Sequence, residues 1–362
     1  MEPYEYINHM VIDAIRDCYP VDAEYYCFDD NIRWNGFEDV NINISYTLFS
    51  ETGVRISPSF LDHSWEPVLS TLDQALWDVE HHKPYFLPGA SRTNAAGEPL
   101  GMVHPSKYPL IAIHSEQRSD DIAQIQAWGW RTVHWFSHAY LCSEFYFRHY
   151  SKLPFIRDYT ARPIRHAWIC ANRLLRKHRT DFLELLDLSQ GCYSLMNPDP
   201  LGAVYTGPVP ARSFDTHTNS SAEIELRQLN DWNTSFLHIV TETVWQDKIH
   251  FTEKVFKPVV LHQPFVVLQA PGSLLYLHRY GFRTFEDWWD ESYDLIEDPV
   301  QRMQAIADIV NDIGSRTAEE LETMRVEMAG VLEHNYRHFY ENIPAICLNE
   351  LREGIATLQE SA

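Results

Sequence analysis

The stretch LIAIHSEQRSDDIAQIQAWGWRTVHWF, residues 110–136, decides the fold class. Its two ends, LIAIH (110–114) and TVHWF (132–136), are short apolar runs with the length of buried strands. The segment between them has the apolar spacing of a helix and ends at Gly129. Strand, helix and strand in succession form a βαβ unit, which predicts a parallel sheet. We therefore expect an α/β fold.

The same order of elements returns further along the chain. HAWIC (166–170) predicts a strand, and NRLLRKHRTDFLELLDL (172–188) predicts a helix after it. FLHIVT (236–241) and PFVVL (264–268) predict two more strands, with a helix between them that opens within FTEKVFKPVVLH (251–262). The repetition predicts a second α/β region, so that two Rossmann-like domains would face each other across a cleft.

Patterns near the two ends of the chain predict further elements. DVNINISYTLF (39–49) alternates apolar and polar residues, which predicts a half-buried strand. VQRMQAIADIVNDI (300–313) predicts a helix that stops at Gly314, and Thr317 with Glu320 forms a capping box for the next helix. We expect these two helices to close the chain.

Length and proline positions indicate where the domains divide. A chain of 362 residues is too long for one ordinary core. Prolines at positions 154 and 163 bracket a linker, so the boundary is expected near residue 155. The expected domains are residues 1–155 and 156–340, followed by a helix or tail over 341–362.

Composition excludes several classes of protein. The net charge of −22 disfavours sequence-independent binding to a phosphate backbone. The six cysteines contain no C-x-x-C pair, so no zinc or redox motif is visible and no metal site is expected. The acidic N-terminus does not have the pattern of a signal peptide, and no apolar stretch approaches the length of a membrane span. We expect a cytoplasmic protein with reduced thiols and no membrane partner.

One stretch runs against the acidic composition. From Tyr159 to Thr180 there is no Asp or Glu, although the chain has 51 of them. Several cations lie instead at the predicted strand-to-helix junction, which is the edge of an open α/β sheet where ligands bind. This pattern predicts a diphosphate site, because guanidinium groups and a helix N-terminus both bind phosphate oxygens. The alternative is a solvated face with ion pairs. The cations are Arg173, Arg176, Lys177 and Arg179.

A second polar segment, Thr252-Glu253-Lys254 followed by Lys257, opens the helix predicted after FLHIVT. The segment has no glycine, so neither a P-loop nor a dinucleotide fingerprint is present. A lysine in the first turn of a helix can still reach a phosphate, and a neighbouring glutamate can accept hydrogen bonds from ribose hydroxyls. An ordinary helix start with exposed charges is the alternative.

A third candidate follows the strand LIAIH. His114 and Glu116 lie at its carboxyl end, where an imidazole or a carboxylate can act as a general base. A polar loop without a catalytic role explains the same residues equally well. His138 is expected to be a structural histidine. The acidic segment EDWWDESYDLIED (286–298) has seven acidic residues that could bind a cation, but a solvated loop is the expected structure.

Residues 251–294, FTEKVFKPVVLHQPFVVLQAPGSLLYLHRYGFRTFEDWWDESYD, resemble the C-terminal motif of a family of phage and bacterial glycosyltransferases. That motif reads T-E-K-x-F-K-P, then a P-F strand, P-G and G-F-x-T-F. CANRLLRKHRTDFLELL (170–186) is similar to the N-R-x-x-R-x-H-R segment of the same family. Two segments of the N-terminal half, IAIHSEQRSDDI (111–122) and HWFSHAYLCSEFYFR (134–148), resemble it too. The resemblance covers most of residues 105–310.

The T-E-K segment is also similar to the donor loop of α-1,3-fucosyltransferases, and this resemblance implies a GT-B fold. It implies that Glu253 contacts the donor ribose and Lys254 the diphosphate. One arginine of the 173–179 group, Arg173 or Arg179, would join Lys254, and Glu116 would be the base. The residues expected to bind the donor are Asn172, Arg173, Arg176, Arg179, Glu242, Thr252, Glu253, Lys254 and Lys257.

The chain departs from the family pattern at two positions of this segment. Val255 replaces a threonine, and His262 stands where glycine is frequent. Neither side chain is expected to carry chemistry.

The expected activity is metal-independent transfer of a sugar from a UDP- or GDP-linked donor, without a further cofactor. Residues 1–155 would hold the acceptor and residues 156–340 the donor. The viral setting of the family points to a hydroxymethylated pyrimidine in phage DNA as acceptor, in the host cytoplasm, with Trp128, Trp130 or Trp135 stacking the base. The net charge favours a glycan or small-molecule acceptor instead. A non-catalytic nucleotide-binding module and a phosphoryl-transfer enzyme are the other classes left open.

Overall fold

The structure is a computed structural model. It describes residues 110–119, 123, 126, 131–148, 150, 159–200, 202–212, 230–246 and 248–360, with short strands at 23–26, 47–50, 55–58, 85–86 and 102–103. Contacts between residues divide the chain into a first unit, Met1–Ser137 with Cys347–Ala362, and a second unit, His138–Ile346. The division falls earlier in the chain than the boundary expected near residue 155. Within the second unit the Tyr340 hydroxyl donates to the Phe147 carbonyl at 2.7 Å, which ties the segment after the division to a late helix.

Among the described residues of the first unit, strands form a mixed five-stranded sheet in the order β1-β2-β3-β6-β7. The pairs β3–β6 and β6–β7 are parallel, which confirms the parallel pairing predicted for residues 110–136. The strands β4 and β5 form a separate antiparallel pair. The bounds are β1 Ala23–Tyr26, β2 Thr47–Ser50, β3 Arg55–Pro58, β4 Tyr85–Phe86, β5 Met102–Val103, β6 Leu110–His114 and β7 Arg131–His134.

The second unit contains a parallel sheet whose described strands lie in the order β11-β10-β8-β9. Every residue of β9, β10 and β11 is buried, as expected for strands covered on both faces. The protein is therefore an α/β protein. The bounds are β8 His166–Asn172, β9 Gly191–Leu195, β10 Ser235–Thr241 and β11 Phe265–Leu268.

Helices follow these strands as the βαβ pattern requires. The first of them continues directly into a π-helical turn at Cys142–Tyr146. The bounds are α1 Ser137–Leu141, α2 Lys177–Glu184, α3 Asn230–Asn233, α4 Glu253–Leu261, α5 Ser273–Arg279, α6 Pro299–Gly314, α7 Ala318–Glu327, α8 Ala329–Glu341 and α9 Ile343–Glu360. No helix in the described part of the chain combines the length and the apolar character that crossing a membrane requires.

The strand order creates a switch point between β8 and β10. From β8 the chain moves to β9 on one side, and it later returns to β10 on the other side. At such a point the connections leave a crevice outside the carboxyl ends of the two central strands. These two ends are joined directly, because the Thr241 hydroxyl donates to the Asn172 side-chain oxygen at 2.6 Å.

Buried polar contacts hold helix α6 against this sheet. The side chain of Arg302 is 1 % exposed, and its guanidinium donates to the carbonyls of Gln269, Ile296 and Trp245. It also lies 4.3 Å above the Trp245 ring. A buried cation is tolerated here because several of its donors have acceptors.

Several expectations for local structure are confirmed. The predicted strands at 166–170, 236–241 and 264–268 are present, as are the helix that ends at Gly314 and the capping box of Thr317 with Glu320. Residues 39–46 and most of the helix expected between β6 and β7 lie outside the described residues.

Other local expectations are wrong. The described chain ends in four helices, α6 to α9; α9 matches the helix or tail expected over 341–362, but α8 was not expected. Helix α2 begins at Lys177 and not at Asn172, because Arg176 is extended and the Leu175 amide donates to the Asp199 carboxylate. The acidic segment 286–298 is not simply a solvated loop, because Asp294 and Asp298 accept bonds from the first backbone amides of α5 and α6.

His262 shows why glycine would be common at its position. The residue caps α4 with φ 50°, a left-handed conformation that favours glycine. Its ring stacks between Tyr159, at 4.4 Å, and Tyr336, at 4.2 Å, and Nε2 lies 3.3 Å from the Glu333 carboxylate. These contacts offset the strain of the left-handed backbone.

Buried histidines make the stability of the fold depend on pH. Burial lowers the pKa of His238 to about 3 and that of His262 to about 4. Unfolded histidines take up protons below about pH 6.5, so their contribution to stability is present above that pH and is lost as the pH falls toward 4. We expect the free energy of unfolding to fall by up to about 1.4 kcal/mol per pH unit for each such histidine. Urea denaturation across this range measures the fall.

The variant His238→Phe supplies the matched control. It keeps a ring beside Trp232 but removes the titrating group, so its free energy of unfolding should decline less steeply with falling pH. An unchanged slope would contradict this assignment.

Candidate functional site

The carboxyl ends of β8 and β10 bring together two of the predicted segments. Asn172 ends β8 and is followed by the arginine-containing loop 173–176, while Glu242 directly follows β10. Asn172 is 1 % exposed, and it joins three strands. Its backbone amide donates to the Ser194 hydroxyl of β9 at 2.9 Å, and its side-chain oxygen accepts the hydrogen bond from the Thr241 hydroxyl of β10. Asn172 therefore positions the switch point.

Glu242 fixes the start of helix α4. Its side chain is fully buried, with Oε1 accepting from the Thr252 amide at 3.1 Å and Oε2 from the Thr252 hydroxyl at 2.7 Å. Lys254 Nζ donates to the same hydroxyl at 2.8 Å. It also lies 3.8 Å from Glu242 Oε2 and 3.2 Å from Glu253 Oε1. Thr252, Glu253 and Lys254 are thus held in one charged cluster.

The cluster places the carboxyl groups of Glu242 and Glu253 close to the ammonium groups of Lys254 and Lys257. Burial raises the pKa of the Glu242 carboxyl, and Lys254 partly offsets that effect. Burial also opposes ionisation of Glu253, but the positive charges of Lys254 and Lys257 outweigh it and lower its pKa to about 2. Glu253 is therefore an ionised, acceptor-only carboxylate. Burial lowers the pKa of Lys257, whose Nζ lies 5.8 Å from the Trp232 ring centroid.

Helix α2 brings the guanidinium of Arg179 and the imidazole of His178 to the same edge. The Arg179 guanidinium is 4 % exposed and donates to the carbonyls of Thr241, at 3.0 Å, and Leu174, at 3.3 Å. His178 Nε2 donates to the Glu242 carbonyl at 3.0 Å. The charges of Glu242 and Glu253 act on Arg179, which places it beside the α4 cluster. In this arrangement Arg179 fixes the two loops and does not present its guanidinium to solvent.

Arg173 and Arg176 remain the half-buried cations of the loop between β8 and α2. The loop is anchored by Asp199, whose Oδ2 accepts from the Leu175 amide at 2.9 Å and whose Oδ1 accepts from the Ala203 amide. Lys177 is not part of this arrangement, since its side chain is 87 % exposed and pairs with Asp181.

Two histidines that the sequence did not assign to this site lie close to it. The rings of His138 and His250 meet edge to face at 5.1 Å, and the charge of His138 acts on Glu253. The charges of Glu253 and Lys257 also act on the buried Cys142 thiol. No local motif indicated these neighbours, because α1 and the segment before α4 are distant in sequence.

In the first unit, His114 and Glu116 lie at the carboxyl end of β6, as expected, and both are buried. The Ser119 hydroxyl donates to Glu116 Oε2 at 2.6 Å. Burial, followed by the charge of His134, lowers the pKa of His114 to about 3. His114 is therefore neutral and weakly basic near neutral pH.

A histidine and carboxylate pair beside them was missed by the sequence analysis. His134 ends β7, meets the His114 ring edge to face at 5.5 Å, and hydrogen-bonds through Nδ1 to Glu350 Oε1 at 2.9 Å. Glu350 Oε2 accepts from the Phe136 amide at 2.8 Å, so helix α9 orients the imidazole. The partners are separated by more than 200 residues, and no motif could reveal the pair.

Of the three tryptophans expected to stack a base, only Trp135 lies among the described residues. Trp135 is 1 % exposed and therefore belongs to the core. Trp128 and Trp130 lie outside the described residues.

Comparison with known proteins identifies no relative of this chain. No protein-family model, no curated protein and no solved structure matches this chain.

Proposed function

We propose that the chain is a glycosyltransferase that takes its sugar from a nucleotide-sugar donor. The observation that supports this proposal best is that two segments with basic side chains meet at the switch point of a parallel sheet. These segments are the Arg173–Arg179 stretch and the start of α4 at Glu253 and Lys254. Ligands of α/β proteins bind at this place in the sheet. The proposed arrangement is GT-B-like, with two Rossmann-like domains.

The proposed chemistry follows from how the leaving group changes charge. As the sugar departs, the nucleoside diphosphate gains negative charge, and preorganised cations stabilise that charge most effectively. Lys254 is held by Thr252, Glu253 and Glu242, so its position does not depend on the donor. Arg173 or Arg176 would supply the second contact.

Glu253 is assigned to the ribose of the donor. The pKa of Glu253, lowered to about 2, keeps the carboxylate ionised, and an ionised carboxylate only accepts hydrogen bonds. Sugar hydroxyls are matching donors. Glu242, Asn172 and Arg179 are assigned a positioning role, because their side chains are buried and bonded to Thr252, Thr241 and backbone carbonyls.

The general base that deprotonates the acceptor is assigned to the first unit. Glu116 is the residue that the family resemblance implies, whereas the geometry favours His134, because Glu350 orients its imidazole as in other histidine–carboxylate pairs. Either group would remove the proton of the acceptor hydroxyl. We propose a hydroxymethylated pyrimidine or a glycan as acceptor, with UDP or GDP as the nucleotide and no metal ion in the transfer step.

Release of nucleotide from a panel of UDP-, GDP- and CMP-sugars tests the proposed activity. Release that depends on an added acceptor is expected for one donor. Binding of nucleotide without transfer or donor hydrolysis would favour a non-catalytic nucleotide-binding module. An electrophoretic mobility-shift assay at low salt, which compares binding to modified and to unmodified DNA duplex, tests the acceptor class.

The variant Lys254→Ala tests the diphosphate assignment. We expect kcat/KM to fall by about 10²- to 10³-fold, because one preorganised cation is lost from the transition state. Steady-state kinetics with a saturating acceptor measures this fall.

Lys177→Ala is the matched control, since Lys177 is exposed and pairs with Asp181 one turn along α2. Its kcat/KM should stay near the value of the unmodified protein. Near-normal turnover of Lys254→Ala would contradict the assignment.

The base is tested by comparing Glu116→Gln with His134→Asn. The variant that removes the base should lower kcat by about 10²- to 10⁴-fold and leave donor affinity unchanged. If His134 is the base, Glu350→Gln should also shift the acidic limb of the pH profile of kcat/KM. Full activity in both His134→Asn and Glu116→Gln would remove both residues from the mechanism.

A further inference from the structure

The opposite edge of the second sheet carries a cluster that the proposed transfer does not use. His166 begins β8, Cys192 lies in β9, and Asp231 lies in α3, just before β10. One side-chain ligand atom of each residue, an imidazole nitrogen, the Sγ atom and a carboxylate oxygen, lies within 4.8 Å of the other two. His166 is separated from Asn172 at the switch point by the seven-residue strand β8, which spans about 20 Å, and Cys192 lies three residues before the end of β9.

The backbone around the cluster is held in place by hydrogen bonds. The His166 amide donates to the Thr234 carbonyl at 3.1 Å, and the Ser235 hydroxyl donates to the Asp231 carbonyl at 2.6 Å. Cys192 is fully buried within β9, while His166 and Asp231 are half-buried. The sulfur atom is therefore fixed inside the sheet, and the other two ligands border solvent.

We propose that His166, Cys192 and Asp231 bind a divalent transition-metal ion, with zinc as the ion that this ligand set fits best. Imidazole nitrogen, thiolate sulfur and carboxylate oxygen are all zinc ligands. Tetrahedral zinc with such bond lengths places its ligand atoms about 3.3–3.8 Å apart, so rotamer adjustments of about 1 Å bring the cluster into coordination. Thiolate and carboxylate together balance the two positive charges of the ion.

Two features of the cluster oppose binding of the ion and lower its affinity. The Cys192 thiol hydrogen-bonds to Asp231, and burial raises the pKa of that thiol to about 12. The positive charge of Arg212 also acts on Cys192 and His166. Zinc binding breaks the S–H bond, forms the Zn–S bond and releases one proton to solvent, so the affinity rises with pH.

The inferred role is structural and independent of sugar transfer. Three protein ligands leave one position for water, and the ion would tie the short helix α3 to strands β8 and β9. Sequence inspection missed the cluster because its members are scattered over 65 residues and follow no metal-binding spacing. Loss of zinc should leave the diphosphate site in place.

Calorimetric titration of the full, metal-stripped chain with zinc tests the inference. We expect one zinc ion per chain, and in each of His166→Gln, Cys192→Ser and Asp231→Asn a loss of affinity at least as large as the about 10- to 100-fold that removal of an outer-shell partner costs. Cobalt in place of zinc should give a near-ultraviolet thiolate charge-transfer band that Cys192→Ser abolishes. Cys170→Ser is the matched control, because Cys170 is an equally buried thiol of the same sheet, and it should bind zinc normally.

Circular dichroism checks that each variant is folded. If Cys192→Ser does not fold, the half-buried His166→Gln and Asp231→Asn carry the test. Absence of stoichiometric zinc binding in the unmodified chain overturns the inference, as does unchanged affinity in the folded variants. Sugar transfer is measured separately, so failure of the zinc site and failure of the glycosyltransferase proposal are distinguishable.

Discussion

The second unit depends on one buried carboxylate. Glu242 leaves the end of β10 and accepts both the amide and the hydroxyl of Thr252, which fixes where helix α4 begins. Lys254 then bonds to Thr252, and its ammonium lies between Glu242 and Glu253. An unpaired buried carboxylate would be costly, so the chain around it must keep this geometry. The contacts that satisfy Glu242 also place Lys254 at this edge of the sheet.

The two proposed sites lie at opposite edges of the same parallel sheet. The proposed diphosphate site lies at the carboxyl edge, with the loop arginines, Lys254 and the start of α4. The amino edge holds His166, Cys192 and Asp231, which favour a cation. The length of β8 separates the two, and the buried strands between them form the rigid support of both.

Much of the second unit could be predicted, because its strands are short apolar runs and its helices have clear ends at Gly314 and Thr317. Strand β9, GCYSL, was missed because its run is short and polar at Ser194. Its first residue is a glycine because a larger side chain would clash with the Trp168 ring. Arg179 was expected to face the donor, yet burial and the Thr241 and Leu174 carbonyls hold its guanidinium. Such partners follow from folding and not from spacing along the chain.

The sequence by itself determined the α/β class, the strands β8, β10 and β11 and the helices α4 and α6. Local periodicity and helix capping are enough for these, since each is read within about 20 residues. Only the tertiary structure decided which side chains meet. It paired His134 with Glu350, gave Glu242 and Arg179 a positioning role, and gathered His166, Cys192 and Asp231. The physical reason is that strand order sets these contacts, and strand order is a long-range property of the folded chain.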